Sequence, residues 1–249
     1  RPNMYCYKKI EAKVLSNVIT MPIFDKLLSL SEKFWTKQTL SYEQELKFRN
    51  NCSKFYKDKT LERVRLFYKK FNKFDNNELI NGEEMPLLSD LLNSIDWDWM
   101  SKGLAGRFHG DFQPENILHD GSGYILIDWR ESFGKSLEVG DFYYDLGKLY
   151  HAILVNGRIV LSKGYSYTIN NNVATVDYNL KSNLNLLMDY FKDFCIEKNL
   201  SWNNIELLGI LQYIGICSLY KEFHGGEYGN FLFLLGKYLL AKKIIREPI

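Results

Sequence analysis

One short segment of this chain constrains its fold and its chemistry more than any other. Residues 109–116 read His-Gly-Asp-Phe-Gln-Pro-Glu-Asn, and an Asp-Gly-Ser-Gly turn and an apolar stretch at 124–127 then run into Asp128. A turn of this composition predicts a β-hairpin that folds the chain back, so that Asp128 faces the loop that holds Asp111 and Asn116. The sequence therefore predicts that two carboxylates and one amide converge.

These three groups suit metal-assisted phosphoryl transfer. One carboxylate orients the acceptor hydroxyl and accepts its proton late, because a loose transition state requires little base strength. Carboxylate and amide oxygens are ligands that Mg2+ accepts alongside water and phosphate. We therefore predict Asp111 as the catalytic carboxylate, with Asn116 and Asp128 as metal ligands. An unpaired carboxylate at the end of an apolar strand would be unfavourable, and a metal partner explains Asp128 best. The structural alternatives are a turn aspartate at 111 and an asparagine that bonds its own loop at 116.

The order H-G-D-x-x-P-x-N followed by I-D-W resembles the aminoglycoside phosphotransferase and choline kinase family, which is distantly related to the protein kinases. Residues 140–147, Gly-Asp-Phe-Tyr-Tyr-Asp-Leu-Gly, are similar to the segment that opens the helix after that family's metal-binding turn. Residues 5–12 resemble the family's hinge more loosely, with Ala12 where the family usually has glycine. The resemblance implies a protein-kinase-like fold, with ATP as co-substrate and Mg2+ as cofactor.

The resemblance also suggests supporting roles for neighbouring residues. We expect His109 and Asp145 to hold the catalytic loop in place, with an ordinary helix-surface aspartate as the alternative for Asp145. Gln113 stands two residues after Asp111, where protein kinases have lysine, so it offers the transferred phosphate or the acceptor only hydrogen bonds. Arg130 and Glu131 follow the predicted metal ligand and are candidate contacts of the phosphate or acceptor.

The hinge-like segment lies at the start of the chain, where Tyr5, Cys6 and Tyr7 are candidate nucleotide contacts. Only four residues precede Tyr5 and the first glycine is Gly82, so a glycine-rich phosphate loop has no room before the hinge-like segment. We therefore predict an α+β, mostly α-helical chain that forms the C-terminal lobe of a protein-kinase-like fold. Residues 1–12 would be a hinge remnant and 13–249 the lobe. The N-terminal lobe would be missing here, as a truncated part or a separate partner.

Periodicity and capping residues predict mostly helical secondary structure around a small catalytic hairpin. Thr20 caps one helix, with Pro22 in its first turn, and another begins at Ser41 with a capping box to Gln44. Further helices are predicted over about 60–74, 86–102, 141–155, 180–199, 203–222 and 227–246. The catalytic loop at 109–116 and the metal-binding segment at 124–131 lie between helices. Alternating apolar residues around three asparagines predict a hairpin at about 158–178.

Composition excludes several classes of protein. The net charge of +2 does not imply nucleic-acid binding, and no apolar run reaches the length of a membrane span. Four widely separated cysteines predict reduced, mostly buried thiols in a cytoplasmic protein. A basic run at 47–73 is interpreted as a solvated helix face, with a polyanionic partner, a membrane surface or the missing lobe as alternatives.

The acceptor is the least constrained part of the prediction. A slightly basic chain with Arg130 beside the metal ligand disfavours a polycationic aminoglycoside, and choline would require an aromatic cage. Residues 125–147 look most like phosphotransferase-type proteins of bacterial surface-polysaccharide synthesis, which implies a sugar or polyol hydroxyl on a small-molecule acceptor. Choline, ethanolamine or aminoglycoside kinases remain alternatives. A non-catalytic binding or regulatory module on a kinase-like lobe is the alternative of another class.

Overall fold

The computed structural model describes residues 9–155, 157–178 and 182–246, and within them the chain is an α+β fold dominated by helices. The helices are α1 (Leu15–Val18), α2 (Met21–Phe34), α3 (Tyr42–Ser53), α4 (Lys59–Phe71), α5 (Leu88–Asn93), α6 (Trp97–Met100), α7 (Phe142–Leu154), α8 (Gly157–Leu161), α9 (Ser182–Glu197), α10 (Trp202–Ile216) and α11 (Glu227–Arg246). The strands are β1 (Lys13–Val14), β2 (Glu78–Ile80), β3 (Glu83–Met85), β4 (Ala105–Gly106), β5 (Ile117–His119), β6 (Tyr124–Leu126), β7 (Gly140–Asp141), β8 (Tyr165–Asn170) and β9 (Val173–Tyr178). The predicted fold class, α+β and mostly α-helical, is confirmed.

The core is built around α10, which packs against α4, α7 and α11. Nearly every residue of α10 from 204 to 214 is buried, so this helix has no polar face. Two glycines allow α7 and α10 to approach closely. A Cβ on Gly209 would lie 2.2 Å from Cδ1 of Tyr150, and one on Gly147 would lie 2.8 Å from Cβ of Leu208. The tight contact fixes α7, which carries part of the candidate site.

Helices α3 and α4 belong to one nearly continuous helical segment. The predicted capping box at its start is confirmed, because Ser41 N–H donates to Gln44 Oε1 at 2.8 Å and Gln44 N–H to Ser41 Oγ at 3.3 Å. A π-helical turn at Lys54–Asp58 joins the two helices. Such turns insert an extra residue and rotate the faces of a helix, and they are frequent at functional sites.

The three-stranded sheet, in the order β1-β5-β6, contains the hairpin predicted before Asp128. Ile117 pairs with Leu126 and His119 with Tyr124. Asp120 closes the turn, since its Oδ1 accepts hydrogen bonds from the backbone N–H groups of Ser122 at 2.8 Å and Gly123 at 2.7 Å. The predicted reversal of the chain is therefore confirmed.

A second sheet has the order β3-β2-β9-β8. Strands β8 and β9 confirm the later hairpin, although it begins only at Tyr165 because α8 occupies 157–161. Strands β2 and β3 were not predicted. They meet at an Asn81-Gly82 turn in which both residues have positive φ, 52° and 81°, and β2 pairs in parallel with β9.

Three local predictions are wrong. The helix expected at 86–102 is two short helices, because the Asp96 carboxylate accepts from Trp99 N–H at 2.9 Å and starts α6 separately. The helix expected at 203–222 ends at Ile216, where a 3-10 turn begins. Thr20 precedes α2, but its hydroxyl makes no capping hydrogen bond.

The hinge candidates Tyr5, Cys6 and Tyr7 lie outside the described residues.

Cys52, Cys195 and Cys217 are free and buried, as expected for reduced thiols. Among the described residues, no helix combines the length and apolar character that crossing a bilayer requires.

Candidate active site

The loop at 109–116 is anchored from beneath by Asp145, which lies fully buried on α7. Its Oδ2 accepts from His109 N–H at 2.7 Å and from the Trp35 indole N–H at 3.1 Å, and its Oδ1 accepts from Gly110 N–H at 2.7 Å. Burial raises the pKa of Asp145 to about 6, and these three donors oppose that rise by favouring the charged form. The carboxylate therefore holds the first two residues of the loop against α7.

Asp141 supports the neighbouring backbone in the same way. It caps the start of α7 and accepts from Tyr143 N–H at 3.0 Å, Leu104 N–H at 2.8 Å and the Tyr56 hydroxyl at 2.7 Å. Burial raises its pKa to about 6 as well. Asp141 thus ties the strand before the loop, the helix after it and the π-helical turn to one carboxylate.

The ring of His109 connects the loop to the end of the hairpin. Its Nδ1 accepts from Asp111 N–H at 3.2 Å, which requires the proton to be on Nε2, and Nε2 donates to the Ile127 carbonyl at 3.0 Å. Burial lowers the pKa of His109 and favours this neutral ring. The ring thus bridges the backbone at Asp111 and the residue before Asp128.

Gly110 permits the close contact between the loop and Arg130. It has a φ of +85°, and a Cβ there would lie 2.4 Å from Cβ of Arg130. Arg130 N–H donates to the His109 carbonyl at 3.0 Å, and its Nε donates to the Gly110 carbonyl at 3.3 Å. A side chain at position 110 would push these two segments apart.

The Asp111 carboxylate is contacted by three side chains. Its Oδ2 accepts from the Asn116 amide at 2.8 Å and the Gln113 amide at 3.2 Å, and its Oδ1 lies 2.9 Å from Nζ of Lys148. Burial alone would raise the pKa of Asp111, but the Lys148 ammonium and these hydrogen bonds hold that pKa below its usual value. Asp111 is therefore a charged carboxylate.

Lys148 was not predicted from the sequence. It is buried on α7, one turn after Asp145, so α7 contributes both the anchor of the loop and the cation beside Asp111. The three-residue spacing from Asp145 is the signal that could have found it.

The backbone of the hairpin joins the segments that carry Asn116 and Asp128. The Asn116 amide nitrogen donates to the Asp111 carbonyl at 3.0 Å, which keeps the amide oxygen as its acceptor group. The Asn116 carbonyl accepts from Ile127 N–H at 3.0 Å, immediately before Asp128. Mg2+ keeps several waters and binds phosphate oxygens, so one carboxylate and one amide oxygen are a sufficient protein contribution. The donor set therefore fits the metal.

Asp128 is exposed, and the premise that its carboxylate would be buried at the end of an apolar strand is wrong. Strand β6 is only half-buried, and Trp129 beyond it is 49% exposed. Asp128 also has a φ of +59°, a left-handed conformation that aspartate tolerates better than most residues. Strained backbone of this kind concentrates at functional sites.

A cavity of about 620 Å³ opens beside Asp111. Asp111, Gln113 and Arg130 line it, whereas Glu131 is exposed and lies outside its wall. The other charged lining residues are Lys59, Arg63, Glu115 and Lys148. Three lysine and arginine residues that the sequence did not assign to the site therefore share one cavity with the carboxylate.

The site lies within a segment that resembles a known protein family. The model of the phosphotransferase enzyme family matches residues 56–165, which include the catalytic loop, the hairpin and α7. No curated protein and no solved structure matches the chain. Over the matched segment the chain is similar to a family of phosphotransferases, and this likeness supports a kinase-like fold and a phosphotransferase activity on small molecules.

Proposed function

We propose that this protein is an ATP- and Mg2+-dependent phosphotransferase that moves the γ-phosphoryl group of ATP to a hydroxyl of a small molecule. The observation that carries the proposal is the charged Asp111 carboxylate, which lies at a cavity of about 620 Å³ and is fixed by hydrogen bonds to Asn116 and Gln113. The phosphotransferase match spans the same residues.

In the proposed reaction, Asp111 binds and orients the acceptor hydroxyl. The acceptor oxygen forms a bond to the γ-phosphorus as the bond from that phosphorus to the bridging oxygen breaks, and ADP leaves. The hydroxyl proton passes to the Asp111 carboxylate late in transfer. The Gln113 contact, at 3.2 Å the longest of the three to Asp111, is the one that the acceptor would replace.

Other residues of the chain support this step. Lys148 holds Asp111 charged and offers a cation to the phosphoryl oxygens. Asn116 and Asp128 would hold Mg2+, which would neutralise charge on the phosphate oxygens. His109 and Asp145 position the loop, and Arg130 borders the cavity.

The finer parts of the proposal follow the sequence resemblance. We assign the chain to the C-terminal lobe of a kinase-like fold in the cytoplasm, with residues 5–7 as the nucleotide hinge. The acceptor would be a sugar or polyol linked to surface-polysaccharide synthesis. Arg130 and Lys148 at the cavity disfavour cationic acceptors such as choline and aminoglycosides, because like charges repel in a partly buried site.

The test is Asp111→Asn in the full-length protein. We expect the release of ADP, measured with a panel of sugars and polyols and with water as acceptor, to fall by about 100-fold to 10,000-fold. The affinity for Mg·ATP, measured by calorimetry, should be nearly unchanged, because Asp111 is not a proposed metal ligand and the amide oxygen of asparagine can still accept from Asn116.

Asp189→Asn is the control, since Asp189 is exposed on α9. Full turnover in Asp111→Asn would exclude the proposed role and favour a different site, and equal losses in both variants would indicate a non-specific effect.

A further inference from the structure

We infer that the acceptor itself carries an anionic group, best a phosphate, so that the enzyme phosphorylates a hydroxyl of a sugar phosphate or polyol phosphate. Lys59 and Arg63 would bind that group. The inference rests on the proposed function, and it names the class of acceptor that the cavity fits.

The first observation is the excess of cations in the cavity. Its wall contains Lys59 and Arg63 from α4, Arg130 from the end of the hairpin, and Lys148 from α7. Within the described residues, Lys148 forms an ion pair with Asp111, whereas Lys59, Arg63 and Arg130 form none.

The second observation is that the other titratable groups of the cavity do not balance this charge. Glu115 is the one other carboxylate among the described lining residues, and it accepts from Gly157 N–H at 2.7 Å, so two carboxylates face four cations even when both are charged. Burial lowers the pKa of His151 to about 4, so its ring is neutral. The cavity therefore retains a positive potential when Asp111 and Lys148 are paired.

The third observation is that the cations are held together on the cavity wall. The Lys59 ammonium lies 4.2 Å from the centre of the Phe55 ring, and the Arg130 guanidinium lies 5.3 Å from the same centre. Burial, followed by the charges of Arg130, Lys148 and Arg63, lowers the pKa of Lys59 to about 8. Lys59 is the first residue of α4, directly after the π-helical turn that ends at Asp58.

This arrangement is unfavourable without a ligand. Lys59 and Arg63 are one helical turn apart, and like charges at that spacing destabilise a helix. A phosphate relieves the repulsion, since a guanidinium binds two of its oxygens and an ammonium binds as a point charge. Aromatic side chains of Tyr220, Phe223 and Tyr228 also line the cavity and offer apolar contact to a sugar ring.

The position of the cavity separates this anion site from the nucleotide. Asp111 lines the cavity, whereas Asn116 and Asp128 do not. The proposed metal ligands therefore lie on another side of the catalytic carboxylate, and the cavity is the acceptor side.

The test is calorimetry without nucleotide or magnesium, with glucose 6-phosphate, ribose 5-phosphate, their unphosphorylated sugars, gluconate and inorganic phosphate as probes. We expect the phosphorylated sugars to bind at least tenfold more tightly than the neutral ones. Lys59→Gln and Arg63→Gln should each weaken that binding at least tenfold, and Lys59→Arg should restore most of it. Lys69→Gln, an exposed position on the same helix, is the matched control and should have no effect.

Equal binding of neutral and phosphorylated sugars would overturn the inference, and so would unchanged binding in Lys59→Gln and Arg63→Gln. In a separate titration with Mg·ATP, a loss of affinity in those variants as large as their loss of sugar-phosphate binding would also overturn it, because it would assign the cations to the nucleotide. Tighter binding of gluconate than of the phosphates would support an anionic acceptor and identify its group as a carboxylate. Because binding is measured without turnover, a failure of the proposed reaction in Asp111→Asn would be recognised separately.

Discussion

Charged groups have different surroundings in two regions of the molecule: the buried carboxylates beneath the loop at 109–116, called the support here, and the cations in the wall of the cavity. In the support, Asp141 and Asp145 are buried, and each accepts hydrogen bonds from three donors. In the wall, Lys59 and Arg63 are half-buried and lack an ion-pair partner within the described part of the chain.

The contrast distinguishes two uses of charge. A buried carboxylate with every donor satisfied fixes backbone, and removing it would leave those donors without partners. A cation that lacks an ion-pair partner in a cavity is unfavourable for folding and is explained by a ligand of opposite charge. The support is therefore expected to govern stability, and the wall is expected to govern binding.

The largest expected effect follows from removing one charge in the support. Asp145→Asn should lower the free energy of unfolding by about 3–4 kcal/mol, because an amide nitrogen would face backbone N–H donors in a buried site. Chemical denaturation measures the loss, and Asp189→Asn is the exposed control. A change below about 1 kcal/mol would show that the loop does not depend on this anchor.

The next effect compares two glycines on α10. A Cβ on Gly209 would meet the Tyr150 ring at 2.2 Å, whereas one on Gly215, which borders the cavity, has no atom within 4 Å. Gly209→Ala should cost about 2–3 kcal/mol, and Gly215→Ala should be neutral or stabilise the helix by up to about 1 kcal/mol. Thermal unfolding of both variants tests this, and equal effects would contradict the packing described for α7 and α10.

Local features of the support could be predicted from sequence. The capping box at Ser41 and the turn closed by Asp120 depend on residues within three positions of each other. The candidate catalytic segment at 109–116 can be proposed from sequence for the same reason, since its residues are consecutive. Contacts of this range are encoded in the pattern itself.

Long-range features could not be predicted. The pairing of Lys148 with Asp111 joins residues on different elements, and Lys59 and Arg63 could not be distinguished from the exposed cations of the basic run at 47–73. The hairpin of β2 and β3 had a local signal in Asn81-Gly82, but its strands have three residues each and no clear alternation. The exposure of Asp128 depends on what covers β6, which sequence alone does not state.

A smaller effect is expected where the two regions meet, at Lys148. Lys148→Gln should lower turnover about 30-fold, or about 2 kcal/mol, because the cation beside Asp111 is lost. The pKa of Asp111 is held below its usual value when Lys148 is present. Activity should therefore persist as pH falls until that low pKa is reached. Without Lys148, the acid limb of the pH profile, where kcat falls at low pH, should move to higher pH.

The pH dependence of kcat measures this shift in the full-length protein. Lys148→Arg keeps the charge and should keep the acid limb near that of the natural protein. An acid limb that is the same in Lys148→Gln would show that Lys148 does not control the charge of Asp111.

The central claim is that Asn116 and Asp128 hold the metal of a bound nucleotide next to Asp111. The most direct test is calorimetric titration of Mg·ATP into the full-length protein and its Asp128→Asn variant, with and without magnesium. We predict that the natural protein binds ATP with an affinity that requires magnesium, and that Asp128→Asn weakens this binding at least tenfold. Binding that is equal in both proteins, or that does not depend on magnesium, would contradict the account.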